Sequence, residues 1–239
     1  MANIYETIYP KFKKEFSYAE LNEIYTPTDA EFALAEKVTK RKGTKLCFLI
    51  TLKCFQRLGY FVTFSNIPEP IISHISKCIN INMTNSTIKT YDNSDTRLRH
   101  LQIIRAFLEV LSFDSKARHL IVVAIGKAAK TKEEPTDLIN IAIEELIKNS
   151  YELPAFSTIE RAVNRIRVSV NRSFYRKIFD SLNEEEVNKI NNLLENDEDL
   201  KSTPWNMIKR EPSSPTLNHL REIVSQLSWL KEQSIAVTA

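Results

Sequence analysis

The chain has 239 residues, of which 43% are hydrophobic and 26% are charged, as is typical of a folded globular protein. It contains only three glycines, which argues against a glycine-rich phosphate loop and a dinucleotide-binding fingerprint. The formal net charge of +3 is too small to indicate a nucleic-acid partner by itself. The length allows one large domain or two small ones.

The cysteines and the N-terminus narrow the class of protein further. Cys47, Cys54 and Cys78 show no Cys-x-x-Cys or Cys/His ligand spacing, so we expect no structural zinc and no other metal or cofactor. The N-terminus lacks the architecture of a signal peptide, and no apolar run approaches the roughly 20 residues needed to span a bilayer. We expect a reduced, cytoplasmic protein with no membrane association and no small-molecule substrate.

Helix start and stop signals recur along the chain and predict an all-α fold. Ser17 is expected to cap a first helix, and Thr28 with Glu31 matches a capping box that opens a second. Gly59 is expected to stop a later helix, and Pro135 and Pro204 fit the first helical position. The run at 61–64 has the composition of a strand, but the sequence offers it no obvious partner. Helices are predicted at 17–25, 28–39, 45–58, 94–111, 115–130, 135–149, 158–182, 184–195 and 215–232. Another opens within 65–70 and ends near 79, and a further one begins at Pro204.

A polar segment divides the predicted helices into two groups. Residues 80–93 are rich in Asn and Thr and lack a helical period, which is typical of a linker. We therefore predict an N-terminal helical module at 1–80, a linker at 81–93 and a second helical module at 94–239. The fold class that follows is multi-helical, with helix-turn-helix-type modules in tandem.

The first concentration of basic residues lies at 37–57, which carries seven Lys and Arg side chains and no acid. The turn before the predicted helix at 45–58 supplies phosphate donors, and one helical arc of about 120° presents further polar groups opposite an apolar face. A recognition helix has this division, although the turn is longer than the usual three or four residues. A solvated surface helix is an equally good interpretation. The candidate DNA-binding residues here are Lys40, Arg41, Lys42, Thr44, Lys45, Lys53, Gln56 and Arg57.

The second concentration lies in the two later helices at 94–111 and 158–182. At the start of the second of these helices, Ser157 with Glu160 matches a capping box. Apolar residues recur at three- and four-residue spacing along one face of this helix. On the opposite face of the same helix, an arc of roughly 60° contains four arginines: Arg161, Arg165, Arg172 and Arg176. This arc is either an anion-binding surface or a solvated arginine face. His100 is expected to be a packed histidine rather than a base. The candidate DNA-binding residues are Arg97, Arg105, Arg161, Arg165, Arg172 and Arg176.

Catalytic patterns are weak in this sequence. The four histidines are scattered, and no Gly-x-Ser-x-Gly elbow or phosphate-binding loop is present. The acidic run at 184–186 follows Asn183 and is typical of a helix start, and that at 197–199 of a solvated loop. We expect no catalytic residue and no enzyme activity. A small metal-dependent nuclease that uses these carboxylates is kept as an alternative.

Ordered sequence blocks resemble the N-terminal region of the bacterial replicative transposases of the Tn-three family. One is Leu-Pro-Ala-Phe-Ser-Thr-Ile-Glu-Arg at 153–161, and another joins Tyr91 to Thr-Arg-Leu-Arg-His-Leu at 96–101 and Ile-Arg at 104–105. Further blocks lie at 25–28, 41–48, 58–61, 67–68 and 209–212, so the resemblance extends from about residue 11 to residue 232. Two features depart from the family pattern. Phe113 and Asp114 stand where a turn of Gly-Tyr or Gly-Phe type is expected, and the segment 80–90 is unusually polar.

The resemblance implies that helix-turn-helix-type modules of this chain recognise double-stranded DNA at the terminal inverted repeats of a transposon. It also implies that the acidic metal site of these enzymes lies downstream, so no catalytic residue is carried over. We expect a non-catalytic fragment or a truncated form of a transposase. Self-association is a further expectation. The alternative is a helical module for protein interaction or multimerisation.

Overall fold

The computed structural model describes residues 3–81, 90–195, 202–209 and 216–232 of the chain. Its regular elements are α-helices with two 3-10 turns, Ile4–Glu6 and Phe64–Asn66, so the all-α prediction is confirmed. Residues 61–63, considered as a strand without a partner, form no strand and lead into the second 3-10 turn. In chain order the helices are α1 (Tyr18–Tyr25), α2 (Asp29–Val38), α3 (Lys42–Leu58), α4 (Glu69–Cys78), α5 (Asp95–Phe107), α6 (Ser115–Ala128), α7 (Pro135–Lys148), α8 (Phe156–Ser181), α9 (Glu184–Asn192), α10 (Pro204–Ile208) and α11 (Leu217–Glu232).

Most of the predicted helix ends are confirmed by the side chains that cap them. The Ser17 hydroxyl accepts a hydrogen bond from the amide of Glu20 at the start of α1. Both halves of the capping box between Thr28 and Glu31 form at α2. Gly59 ends α3 with a φ of 72°, in the left-handed region that glycine enters without steric cost.

Two predicted helix starts are wrong. Helix α3 begins at Lys42 rather than Lys45, so only three residues, Thr39 to Arg41, separate it from α2. That connection has the usual length for a helix-turn-helix rather than the longer one predicted. Helix α8 begins at Phe156, so Ser157 occupies its first turn and is not the predicted N-cap.

The chain divides into two compact units, Met1–Val168 (unit 1) and Ser169–Ala239 (unit 2). Unit 1 contains two hydrophobic clusters. The first surrounds α3, which is buried from Leu46 to Phe55 and packs against α1, α2, α4 and α5. The second is formed by α6, α7 and the start of α8, with Ile125, Leu138 and Val163 at its centre.

The N-terminal segment and the segment before α8 connect the two clusters of unit 1. The Tyr9 ring packs against Tyr60 and Phe156, and its hydroxyl donates a hydrogen bond to the carbonyl of Pro154. The amide of Leu153 donates to the carbonyl of Gly59 at 2.8 Å. The spacing of hydrophobic residues within each helix does not specify these contacts, which join residues far apart in the sequence.

Unit 2 is different because few of its apolar side chains are buried. Among its described residues, Leu193 is the only buried hydrophobic residue. Asn183 and Glu186 form a capping box at α9, which confirms the predicted role of the acidic run at 184–186. The acidic run at 197–199 lies outside the described residues.

The predicted linker at 81–93 is described only in part. Residues 82–89 lie outside the described residues, while Tyr91 is buried and belongs to the cluster around α3. The predicted boundaries 1–80 and 94–239 therefore stay a prediction. Most of the sequence block at 209–212 and the predicted helix start at Pro215 also lie outside the described residues.

Candidate nucleic-acid interface

The start of α3 presents three basic side chains to solvent. Lys40, Arg41 and Lys42 are all exposed, and none of them forms an ion pair with a described residue. Arg41 is the N-cap of α3 but makes no side-chain cap hydrogen bond. The first amides of α3 therefore point toward solvent beside cationic side chains, an arrangement that favours an anion.

An open groove of about 440 Å³ lies at this helix start. It brings residues 41–47 of α3 together with residues 90–96, which include the N-cap of α5. Thr44, Ser94 and Thr96 line it beside Arg41, and the Ser94 hydroxyl caps α5. Hydroxyls, guanidinium groups and helix starts are the groups that contact phosphate oxygens in protein–DNA complexes.

The remaining predicted residues of α3 do not join this groove. Lys45 pairs with Glu36 at 2.9 Å and lies over the Phe32 ring. Lys53 is buried and its ammonium lies 3.3 Å from the carboxylate of Glu31. The Gln56 amide also donates to that carboxylate, at 2.6 Å. These groups hold α3 against α2.

Arg57 is exposed at the other end of α3. It lies fifteen residues after Lys42, which corresponds to about 22 Å along the helix axis at 1.5 Å per residue. The predicted surface of α3 is therefore not continuous, because the buried stretch from Leu46 to Phe55 separates its two accessible ends.

Arg97 and Arg105, predicted as DNA contacts on α5, are engaged inside unit 1. Arg97 donates to the carbonyl of Val62 at 3.0 Å, and its Nε lies 3.3 Å from the Asp92 carboxylate. Arg105 forms two hydrogen bonds with Glu152, at 2.9 and 3.1 Å, and covers the Phe61 ring. Both side chains join α5 to other segments.

His100 is a packed histidine, as predicted from the sequence. It is 3% exposed, its Nδ1 lies 2.9 Å from the Tyr91 hydroxyl, and its ring packs edge-on against Phe48. Desolvation by burial, with a smaller contribution from the charge of Arg99, lowers the pKa of His100 to about 4. Burial also raises the pKa of the Cys47 and Cys54 thiols to about 12, so both are inert at neutral pH.

The first two arginines of the α8 arc line a second open cleft. Arg161 and Arg165 are exposed, and the cleft of about 370 Å³ lies between the N-terminal halves of α6 and α8. Arg118 of α6 lines the same cleft. It was not predicted, since α6 has no periodic row of basic residues, and only the packing of α6 against α8 reveals it. Arg172 and Arg176 are exposed and belong to unit 2.

Within the described residues, no group of three or more His, Cys, Asp and Glu side chains is placed to hold a metal ion. No described helix is both long enough and apolar enough to cross a membrane.

The fold defines an all-helical domain, and comparison with known families gives its class. The family described as "Domain of unknown function (DUF4158)" matches residues 3–166. The chain belongs to this family.

Named relatives of the chain are transposases. It is 26% identical over 214 residues to "Transposase for transposon Tn501" of Pseudomonas aeruginosa, which covers 88% of this chain and 21% of the relative. It is 23% identical to "Transposase for transposon Tn1546" of Enterococcus faecium (80% of this chain, 20% of the relative) and 24% identical to "Transposase for transposon Tn3926" of Escherichia coli (88% and 21%). The predicted resemblance to the N-terminal region of Tn-three family transposases is thereby confirmed. The chain spans about a fifth of the length of these curated relatives.

Proposed function

We propose that the chain binds double-stranded DNA and recognises the terminal inverted repeats of a transposon, without a catalytic centre of its own. The observation that carries this proposal is the groove at the start of α3, which Arg41 lines at a helix start without a side-chain cap, with Lys40 and Lys42 exposed on either side of it in the sequence. The names of the transposase relatives support a partner of this class. The proposal places the chain in the cytoplasm with its DNA.

The proposed interface consists of the predicted residues whose charged or polar groups are accessible. Phosphate contacts would supply affinity, and side chains that reach the base edges from the start of a helix would supply specificity. Five predicted residues are left out, because their charged or polar groups are engaged within unit 1: Lys45, Lys53, Gln56, Arg97 and Arg105. The residues retained are Lys40, Arg41, Lys42, Thr44, Arg57, Arg161, Arg165, Arg172 and Arg176.

The test is fluorescence anisotropy with a labelled duplex that carries the terminal repeat of the cognate element, compared with a scrambled duplex of the same composition. We expect tighter binding to the repeat and a linear fall of log affinity with log salt. Arg41→Gln and Lys42→Gln should each weaken binding and lower the salt slope by about one. Lys77→Gln, an exposed lysine of α4, is the matched control. Equal affinity for both duplexes would overturn sequence-specific recognition.

The absence of catalysis is tested with supercoiled plasmid and either Mg²⁺ or Mn²⁺. We expect the plasmid to stay intact with the full chain, because the proposal assigns it recognition only. Nicking that persists in a purified preparation and disappears with EDTA would favour the metal-dependent nuclease instead.

A second candidate function is self-association through α11. Leu217, Leu220, Val224 and Leu227 lie within an arc of about 80° at 100° per residue. Each is 54–64% exposed. Exposed apolar stripes of this kind mark protein interfaces, and two copies of the same stripe can pack about a twofold axis.

Light scattering during size exclusion, across a concentration series, tests this second function. We expect a dimer that Leu220→Glu combined with Leu227→Glu converts to a monomer. Ser225→Glu, on another face of α11, should leave the dimer intact. A wild-type chain that stays monomeric at all concentrations would exclude self-association.

A further inference from the structure

The cleft between α6 and α8 has a floor of apolar side chains. Ile121 of α6 is 2% exposed at its base, and Ala162 and Ile166 of α8 complete the floor beside Val122. Phe113, just before α6 begins, also lines the cleft. The cleft lies within unit 1, and its volume of about 370 Å³ is at the lower end of the range for small-ligand sites.

Three guanidinium groups surround this floor. The Arg118 guanidinium lies 5.6 Å from the Phe113 ring centroid, and the Nε of Arg161 donates to the carbonyl of Ser157 at 3.0 Å. Arg165 lies one helical turn after Arg161. None of the three forms an ion pair with a carboxylate among the described residues, in contrast to Arg97 and Arg105 in the same unit.

Three like charges around one cleft repel each other, and an anion that enters the cleft relieves this repulsion. A guanidinium group presents paired donors that match two oxygens of a phosphate. The apolar side chains of the floor can contact carbon atoms of a ligand that lie next to its anionic group. A phosphodiester with its deoxyribose has both features, since the charged phosphate alternates with a weakly polar sugar.

We propose that Arg118, Arg161 and Arg165 hold the sugar–phosphate backbone of one DNA strand in the cleft between α6 and α8. This inference rests on the DNA binding proposed above and adds Arg118, on a separate helix, to its contacts. A backbone site carries no sequence information. It therefore contributes equally to binding of the terminal repeat and of scrambled DNA.

Two features distinguish this cleft from a solvated arginine face. Its arginines come from two helices and converge on one cleft, whereas a solvated face spreads charges over a convex helix surface. In addition, Arg118 and Arg161 are each held in place, one by an aromatic ring and the other by a backbone carbonyl. Side chains that are already oriented lose less conformational entropy when they bind.

The experiment measures anisotropy with the full chain and both duplexes across a salt series. With a slope of about 0.9 per phosphate contact, loss of one contact costs about eightfold in affinity at 0.1 M salt relative to 1 M. Arg118→Gln should lose about this factor on both duplexes and lower the slope by about one. Lys116→Gln, exposed on α6 but outside the cleft, should change neither quantity.

Arg118→Lys provides a second variant that keeps the charge. It should retain the salt slope and lose part of the affinity, because a lysine cannot form the paired contact. A mutation-free measurement is modification of arginine by phenylglyoxal, read by mass spectrometry. Duplex should protect Arg118 but not Arg221, which is exposed on α11.

The outcomes separate this inference from the proposed function. If the wild-type chain binds the repeat while Arg118→Gln keeps its affinity and salt slope and Arg118 stays unprotected, the cleft inference is overturned and DNA binding stands. If Arg118→Gln loses only the preference for the repeat, the cleft reads bases and the backbone role is overturned. If a 5′-mononucleotide protects Arg118 but duplex does not, the cleft takes free nucleotides. If the wild-type chain binds neither duplex, the proposed function fails and the inference fails with it.

Discussion

Arginine residues of this chain have two distinct roles, and neighbouring charges decide between them. Arg105 faces a carboxylate with two hydrogen bonds, whereas Arg118 faces an aromatic ring and solvent. The first role contributes to the stability of the fold, and the second leaves a positive charge available to a partner. The two roles predict different results for the same type of substitution.

Arg105→Gln should lower the free energy of unfolding by about 2–3 kcal/mol, because it leaves the carboxylate of Glu152 partly buried and without its cation. The side chains of the pair are 23% and 12% exposed. Urea denaturation measures this effect, and Arg99→Gln on the exposed side of the same helix should stay within about 0.5 kcal/mol of wild type. Unchanged stability combined with a loss of DNA affinity would instead place Arg105 in the interface.

His100 should make the stability of the fold depend on pH. Its folded pKa of about 4 lies below the ordinary value of 6.5, so the unfolded chain binds the proton more readily. Its contribution is fully present above pH 6.5 and is lost as the pH falls toward 4. The difference between these two pKa values corresponds to about 3–4 kcal/mol at 1.36 kcal/mol per pH unit.

Chemical denaturation at pH 7.5 and pH 4.5, with wild type and His100→Gln, measures this contribution. The variant should lose less stability than wild type between the two values. Burial also lowers the pKa of His74, which has a smaller effect on stability. This effect is the same in both proteins, so it cancels when their losses of stability are subtracted. Equal losses in both proteins would show that His100 does not carry the pH dependence.

At the level of secondary structure, one carboxylate links the start of α2 to the middle of α3. Glu31 accepts a hydrogen bond from the Thr28 amide at 2.8 Å and receives Lys53 and Gln56 from α3. The same side chain therefore caps one helix and neutralises a buried lysine on the next. The sequence predicted the cap but not the second contact.

Glu31→Ala should lower the free energy of unfolding by about 3–5 kcal/mol, since it leaves the Lys53 ammonium buried without a counter-charge. Thr28→Ala, which removes only the cap hydrogen bond, should cost about 1 kcal/mol. Thermal unfolding followed by circular dichroism compares the two. A double variant, Glu31→Ala with Lys53→Met, should recover much of the loss. If it recovers nothing, the Lys53 charge is not the source of the effect.

At the level of the whole molecule, the two units differ in how their apolar residues are used. Unit 1 buries two hydrophobic clusters, while Leu193 is the single buried hydrophobic residue in the described part of unit 2. Burial of apolar surface is the main favourable term in folding, so local stability should follow this difference.

Hydrogen exchange followed by mass spectrometry should show this difference directly. Amides of α3 should exchange only through global unfolding, whereas amides of α11 should exchange through local opening and orders of magnitude faster. Raising the protein concentration should slow exchange in α11 if its apolar stripe associates. Equal protection of α3 and α11 in a monomeric sample would contradict the assignment.

The all-α class, most helix bounds and the resemblance to transposases could be predicted from the sequence. These features depend on neighbouring residues: Thr28 caps α2 through a glutamate three positions later, and Gly59 ends its own helix. The start of α8 could not be predicted in this way. Ser157 and Glu160 have capping-box spacing, but helix α8 includes Phe156, whose ring packs against Tyr9 in the distant N-terminal segment.

The sequence by itself determined which residues are basic and on which helices they lie. Only the tertiary structure decided which of them have a free charge. Arg105 pairs with a carboxylate 47 residues away in the sequence, and Lys53 pairs with one 22 residues away. Both carboxylates lie on other segments, so the position of the cation on its own helix does not predict them. A charged side chain on a helix face is neutralised if a segment with an opposite charge packs against that face, and it stays free if none does. Local spacing therefore predicts the face, and long-range packing selects the arginines and lysines that can reach a partner.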